Sequence, residues 1–170
     1  MTAPGIAVRL VEPRDHPEVE RVTVAAYRED GQLEAAPEYA EVLADVAARA
    51  AASDVLVATA EGKVLGAVAF TLAGGAYAEV SKPGEAEFRT LAVDPAAQRR
   101  GVARALVQAC IDRAAQLGCN ALVICVRDDN TGAHALYERF GFERDSSLDW
   151  SPVPGVKLLG LRLALPVLAK

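Results

Sequence analysis

The alternation of apolar and polar positions divides the 170-residue chain into short strands and amphipathic helices. Ile6 to Leu10 has the pattern of a short first strand. Asp15, Pro17 and Glu18 mark a helix start with a capping-box acid, and Val19, Val22, Ala26 and Tyr27 then recur at helical spacing. After a polar break from Arg28 to Ala36, a second helix is predicted over 37–52 on the stripe Tyr39, Val42, Leu43, Val46 and Ala50. Asp54 to Ala60 and Lys63 to Thr71 read as strands joined by the tight hairpin signal Glu61-Gly62.

A loop from Gly74 to Gly84 holds Tyr77, Glu79 and Pro83, and the strand Glu85 to Val93 follows. Its alternation sets Glu87, Arg89, Leu91 and Val93 against Phe88, Thr90 and Ala92 on two unlike faces. The next helix carries Ala103, Leu106, Val107, Cys110, Ile111, Ala114 and Leu117 on one stripe and stops at Gly118. Ala121 to Val126 is a near-continuous apolar run, the mark of a strand covered on both faces. A short helix from Thr131 to Phe140 ends at Gly141, and the closing strands Phe142 to Leu148 and Val156 to Leu165 flank a loop containing Trp150. The order β-α-α-β-β-β-α-β-α-β-β is mixed α/β. Its one strand–helix–strand crossover places two parallel strands side by side. With no repeat, low-complexity tract or linker, residues 1–170 are expected to form one domain.

At 52% hydrophobic and 24% charged residues, the chain can fill a core. Its net charge of -5 and pI near 5.1 argue against nucleic-acid binding. Arg99, Arg100, Arg104 and Arg113 nevertheless make a local positive patch. Cys110, Cys119 and Cys125 form an odd set without a C-x-x-C pair, and with only His16 and His134 they give no metal-ligand spacing. Buried thiols fit a reducing compartment. No signal-peptide pattern is seen, and the apolar tail Leu158 to Leu168 is short and broken by Arg162 and Pro166. The expectation is a cytoplasmic protein without a membrane partner, monomeric or homodimeric.

Two motifs carry chemistry. The first is Leu91-Ala92-Val93-Asp94-Pro95 followed by Gln98-Arg99-Arg100-Gly101-Val102-Ala103. A strand stops at a proline, two arginines follow, and a glycine opens an Ala- and Leu-rich helix. Helix-start N–H groups and the helix dipole favour an anion there, and Arg99 and Arg100 add forked donors. Neither G-x-x-x-x-G-K-[ST] nor G-x-G-x-x-G after a strand is present, so nucleoside triphosphates and dinucleotides lack support. The second motif is Asn130, Ala133, Leu136-Tyr137 and Phe140-Gly141-Phe142. Asn130 suits an N-cap, and Tyr137 returns to its side of the helix seven residues later. Taken alone, Tyr137 is either a core ring or a ligand-facing group.

Together the motifs resemble the acyl-CoA half of the GNAT acetyltransferase superfamily over 85–142, and the element order resembles that fold across nearly the whole chain. The resemblance implies a central, mostly antiparallel sheet of about seven strands with a splayed parallel pair, flanked by about four helices. It implies acetyl-CoA as cosubstrate, with its pantetheine arm between the splayed strands. The positions that would hold it are Leu91, Ala92, Val93, Gln98, Arg99, Arg100, Gly101, Val102, Ala103, Arg104, Asn130, Ala133 and Tyr137. Leu91 N–H would polarise the thioester carbonyl and the Tyr137 hydroxyl would face the sulfur.

Glu87 is the first choice of general base, since strand alternation gives it the same parity as Leu91; Glu85 and Glu79 are alternatives. Members of the superfamily that acetylate ribosomal-protein N-termini have a glutamate where this chain has Cys125, which disfavours that substrate. Cys125 itself has no neighbouring histidine in sequence and reads as packing. The expected function is direct acetyl transfer to a primary amine. The acids between Glu29 and Glu38, facing the Trp150 loop, suggest a small cationic acceptor. A protein N-terminal or lysine acetyltransferase and a non-catalytic acyl-CoA-binding module are the alternatives.

Overall fold

The computed structural model describes residues 5–34 and 36–166. Its strands are β1 (Ala7–Leu10), β2 (Asp54–Ala60), β3 (Lys63–Leu72), β4 (Glu85–Val93), β5 (Ala121–Arg127), β6 (Glu143–Arg144) and β7 (Leu158–Ala164). The helices are α1 (His16–Glu29), α2 (Tyr39–Ala44), α3 (Val46–Ala52), α4 (Val102–Gln116) and α5 (Thr131–Arg139). Neighbouring segments pair first. β2 turns into β3 through Glu61 and Gly62, at φ 51° and 78°, the backbone of a type I′ hairpin. The full sheet runs β1-β2-β3-β4-β5-β7-β6, antiparallel except for the β4–β5 pair joined by α4. The predicted mixed sheet with one parallel pair is therefore present.

Two apolar layers sandwich the sheet. Val19 and Val22 of α1 and Val46 of α3 pack against Val55, Val57, Val64 and Ala67. On the opposite face Val102, Leu106 and Cys110 of α4 and Tyr137 of α5 pack against Val68, Phe70, Phe88, Leu122 and Ile124. The near-continuous apolar run of β5 is buried from Ala121 to Ile124, as a strand covered on both sides requires.

The parallel pair is short. Only Glu85, Ala86 and Glu87 register with Ala121, Leu122 and Val123; beyond them β4 and β5 part. β4 also carries an extra residue relative to β3, for Ala67 pairs with Ala92 but Ala69 pairs with Arg89. Thr90 sits at the irregularity with φ 58°, which marks a β-bulge and is a strained conformation for a β-branched residue. The bulge inverts the alternation expected for this strand. Cross-strand neighbours share a face, so Glu87, Arg89 and Ala92 lie on the α1 side, with Phe88 and Val93 on the α4 side. Leu91 packs with Val93 against the α4-side cluster. Glu87 and Leu91 thus do not share a face, and the parity argument linking them fails at the bulge.

Three other expectations are corrected. The single helix over 37–52 is two helices broken at Asp45, which ends α2 and caps α3 by accepting from Ala48 N–H at 3.0 Å; five α-helices result, and Val42 is exposed. The strand from Phe142 to Leu148 shrinks to Glu143–Arg144, because Asp145 accepts from Ser147 N–H and starts a 3₁₀ turn over Ser146–Leu148. Asp15 is the N-cap residue of α1, as expected, but its side chain makes no capping bond there and no capping box with Glu18 forms. Asp15 instead closes a capping box with Glu12 around a 3₁₀ turn and holds Arg9 through two hydrogen bonds.

One close approach sets where α4 lies. A Cβ added at Gly66 would sit 2.7 Å from Ala92 O and 2.8 Å from Val102 Cγ1. Gly66→Ala is expected to destabilise the protein by about 1–3 kcal/mol through overpacking. A lowered urea midpoint at unchanged slope checks this.

Candidate active site

The parting strands open a cleft of about 540 Å³ that runs across the sheet. One half is walled by Leu91, Gln98, Ala103, Asn130, Gly132, Ala133, Leu136 and Tyr137; the other by Tyr27, Asp30, Gln32, Tyr39, Trp150, Pro152, Val153, Val156 and Leu158. Glu79, Glu87, Arg89 and Cys125 line it as well.

At the first half, Arg99 at φ 66° and Gly101 at φ 83° bend the chain into α4. The first helical hydrogen bond is Ala105 N–H to Gly101 C=O at 3.0 Å. The amides of Val102, Ala103 and Arg104 therefore precede the helical ladder, at the positive end of a 15-residue helix. Alternating left-handed residues before such a start form a concave set of N–H donors. Arg99, Arg100 and Arg104 are exposed around it, while the Val102 side chain is buried under the sheet. This is the anion cradle expected from the spacing, built of backbone and rimmed by guanidinium groups. Ala92 and Val93 turn their side chains into the packing, so only their backbone is available to a ligand.

Asn130 caps α5 by accepting from Ala133 N–H at 3.1 Å. Tyr137 satisfies both readings at different atoms. Its ring packs edge-on against Phe88 and Phe142, with centroids 5.7 and 5.8 Å away, and the residue also lines the cleft. Burial raises the pKa of its hydroxyl, keeping it protonated.

Glu87 is only 1% exposed. Its Oε1 accepts from the backbone N–H groups of Glu79, Val80 and Ser81, at 3.0, 3.1 and 2.9 Å, and from Ser81 Oγ at 2.6 Å. One carboxylate oxygen thus fastens the loop before β4. Oε2 has no protein partner among the described residues, on a side chain that lines the cleft. Glu79, placed by that loop, pairs with Arg89 Nε at 2.8 Å; burial raises its carboxyl pKa against the pull of the arginine. Arg89 also donates to Tyr77 O and lies 4.1 Å above the Tyr77 ring, whose hydroxyl meets Thr90 Oγ1 at 2.8 Å. Glu85 points elsewhere, joining Arg162 of β7 and accepting from Lys82 N–H, and it does not line the cleft.

Cys125 shares the α1 side with Glu87, through the registers of β5 on β4 and β7. Its thiol donates to Leu148 O at 3.4 Å, and burial pushes its pKa up to about 11. Of the acids between Glu29 and Glu38 only Asp30 reaches the cleft wall, and its carboxylate accepts from Gln32 Nε2. The expected acidic vestibule is instead an aromatic and apolar one. Sequence reasoning missed Arg89 and Ser81, which act through a loop contact and an ion pair that no local pattern announces. Among the described residues no His, Cys, Asp and Glu group could hold a metal ion, and no helix is long and apolar enough to cross a membrane.

Residues 16–142, which contain the parted strands and the helix-start cradle, match a family model described as the acetyltransferase (GNAT) family. The chain belongs to that family. The chain is 37% identical over 84 residues to the [ribosomal protein bS18]-alanine N-acetyltransferase of Escherichia coli, covering 49% of this chain and 57% of that one. It is 37% identical over 79 residues to the mycothiol acetyltransferase of Geodermatophilus obscurus, covering 43% of this chain and 26% of that one. The matched segments thus span between a quarter and a little over half of these relatives. Among solved structures, the ribosomal-protein-S18-alanine N-acetyltransferase from Escherichia coli has TM-score 0.72 at 22% identity, over 97% of both chains. A GNAT family acetyltransferase from Brucella melitensis in complex with acetyl-CoA has TM-score 0.63 at 24% identity, over 97% of this chain and 92% of that one. These likenesses show a shared fold.

A thiol with pKa near 11 is almost wholly protonated at neutral pH. Alkylation of Cys125 by iodoacetamide at pH 8 is expected to be about two orders of magnitude slower than that of a free cysteine. The rate should climb as pH approaches 11. Peptide mapping of the alkylated residue checks both statements.

Proposed function

We propose that the protein is an acetyl-CoA-dependent N-acetyltransferase that moves the acetyl group directly to a primary amine. The observation that carries this reading is the cleft between β4 and β5, with a backbone anion cradle at one end and Glu87 and Tyr137 along its walls. In this reading the amides from Arg99 to Arg104 hold the pyrophosphate, and Arg99, Arg100 and Arg104 add screening charge. The cradle fits the group because its amides lie ahead of the helical ladder. The backbone of Leu91 and Val93 and the wall of Asn130, Ala133 and Leu136 receive the pantetheine arm in the gap left by the parted strands.

The chemistry asks three things of the protein. Attack of an amine on a thioester builds charge on the carbonyl oxygen, and in this reading Leu91 N–H, beside the Thr90 bulge, meets it. The departing thiolate needs a proton, which the Tyr137 hydroxyl supplies; a hydroxyl of raised pKa stays protonated until that moment. An alkylamine of pKa about 10.4 costs roughly 4–5 kcal/mol to deprotonate at pH 7. Glu87 Oε2 takes that proton, directly or through one water. Glu87 is preferred to Glu79 because the Glu79 carboxylate is occupied by Arg89, and to Glu85 because Glu85 lies outside the cleft. In this reading the Glu87 carboxylate reaches the amine from the α1 side, while the Leu91 N–H, which lies in the plane of the sheet as strand amides do, meets the thioester oxygen from the edge of β4.

The resemblance to bS18-alanine N-acetyltransferases supports a second reading, a protein N-terminus as acceptor. The presence of Cys125 beside Glu87 weighs against it.

Calorimetric titration with coenzyme A, and thiol release from acetyl-CoA in the presence of amines, test the proposal. Glu87→Gln retains the Oε1 acceptor that fastens the loop and removes the basic oxygen. It is expected to lower kcat by about 10²-fold with coenzyme A affinity unchanged. Tyr137→Phe retains the ring packing and should lower kcat by a similar factor, with the same unchanged affinity. An unaltered turnover in either variant removes that residue from the proton path, and absence of coenzyme A binding to the unaltered protein removes the proposal.

A further inference from the structure

We propose, building on the acetyl-transfer reading, that the acceptor is a monoamine carried on an aromatic body, seated between Tyr27, Tyr39 and Trp150. The acceptor half of the cleft is lined by these three rings. Tyr27 and Tyr39 stand 6.2 Å apart between centroids with planes inclined at 53°, and Trp150 faces the cleft from the loop after the β6 turn. Tilted ring pairs of this kind offer faces and edges to a further ring. Between them the wall is aliphatic, made by Val80, Pro152, Val153 and Val156.

Inside this half, past the exposed edge, the charges fit one cation. Glu79 is neutralised by Arg89, and Arg89 is held in turn by Tyr77. Asp30 accepts from Gln32 Nε2 but is exposed to solvent and keeps its charge at the outer edge of the wall. Arg127 lines the same cleft, making contacts of 3.4 Å with Gln32 O and Asp129. A polyamine seated inside the rings would leave its second ammonium against aliphatic wall or facing a guanidinium, which strips a charge of water without a partner, and reaching the exposed Asp30 instead would leave the rings uncovered. A peptide would bring backbone amides that this wall does not satisfy. A lone ammonium next to the ring finds Glu87 Oε2, the carboxylate oxygen left without a protein partner among the described residues. Its aromatic body covers the rings that would otherwise stay open to water.

Rates of acetyl-CoA-dependent thiol release with 2-phenylethylamine, butylamine, spermidine and a lysine-free tripeptide test this. The kcat/KM for 2-phenylethylamine is expected to exceed each of the others by about tenfold or more. Tyr39→Leu keeps apolar volume in a half-buried, solvent-side position and removes the ring. It should lower the phenylethylamine-to-butylamine ratio by about fivefold. A readout independent of turnover comes from Trp150, the single tryptophan of the chain. Titrating the coenzyme A complex with 2-phenylethylamine should change its fluorescence saturably, whereas butylamine at equal concentration should not.

Preference for spermidine or the tripeptide, equal rates across the panel, an unchanged ratio in Tyr39→Leu, or an unresponsive Trp150 each overturns the aromatic-acceptor proposal. Those outcomes leave acetyl transfer standing wherever coenzyme A binds and some amine is turned over. Failure of coenzyme A to bind removes the acetyl-transfer reading itself.

Discussion

Two parallel strands that stop pairing after three residues set the terms for everything around them. Backbone N–H and C=O groups facing an apolar interior without partners cost free energy comparable to lost hydrogen bonds. A sheet that parts in its middle is tolerated only where the gap is open to water or filled by something that bonds the strands. The Thr90 bulge works in the same direction. A β-branched residue at φ 58° costs of order 1–3 kcal/mol and persists because its surroundings hold it there. Here the holding groups are visible: Tyr77 bonds the Thr90 hydroxyl, and Arg89 on the neighbouring residue clamps Tyr77 from its carbonyl and its ring. Strain in β4 and the missing pairs with β5 belong to one device, a slot through the sheet with different chemistry on its two sides.

Glu87 connects that slot to the loop beside it. A carboxylate only 1% exposed is costly unless it is bonded, and four donors converge on Oε1. Three of them are consecutive amides of the loop before β4, so the carboxylate acts as the loop's anchor. The same side chain lines the cleft, and its other oxygen has no protein partner among the described residues. Fixing one oxygen holds the carboxylate with little freedom to swing, which is what the proposed role of base requires. Ion pairs secure the paired end as well. Arg162 reaches across β5 to Glu85, at the end of the β4–β5 pairing away from the gap, and also holds Asp145 at 3.0 Å.

How much of this was legible in the sequence follows from the range of the interactions. The cradle was readable because its donors are the first amides of one helix, placed by Pro95, Gly101 and the stripe that follows. Asn130 was readable as a cap because its partner is Ala133, three residues on. The break at Asp45 carried a local signal that the apolar stripe outweighed: an aspartate within an alanine-rich run, well suited to start a new helix. Asp145 ended β6 for the same reason, its carboxylate bonding the chain two residues ahead. The inversion of β4 was not readable at all. Strict alternation and a single bulge differ by one residue in the register with β3, and that register is written in β3.

The two halves of the cleft differ in a way that follows from this. Its cofactor half comes from one continuous stretch, β4 through α5, so its chemistry is tied to adjacent residues and to backbone groups common to every amino acid. The acceptor half is assembled from three distant segments, around Tyr27 and Tyr39, around Glu79, and around Trp150. Acids in the first of these segments suggested a cationic acceptor on composition alone, but composition does not say which way a loop turns. Glu29, Glu34 and Glu38 are exposed to solvent, while the tyrosines on either side of them turn inward. In the proposed reading, selection of the acceptor therefore rests on which side chains α1 and α2, the loop before β4 and the Trp150 loop bring to one wall, and that property is decided by packing rather than by charge count.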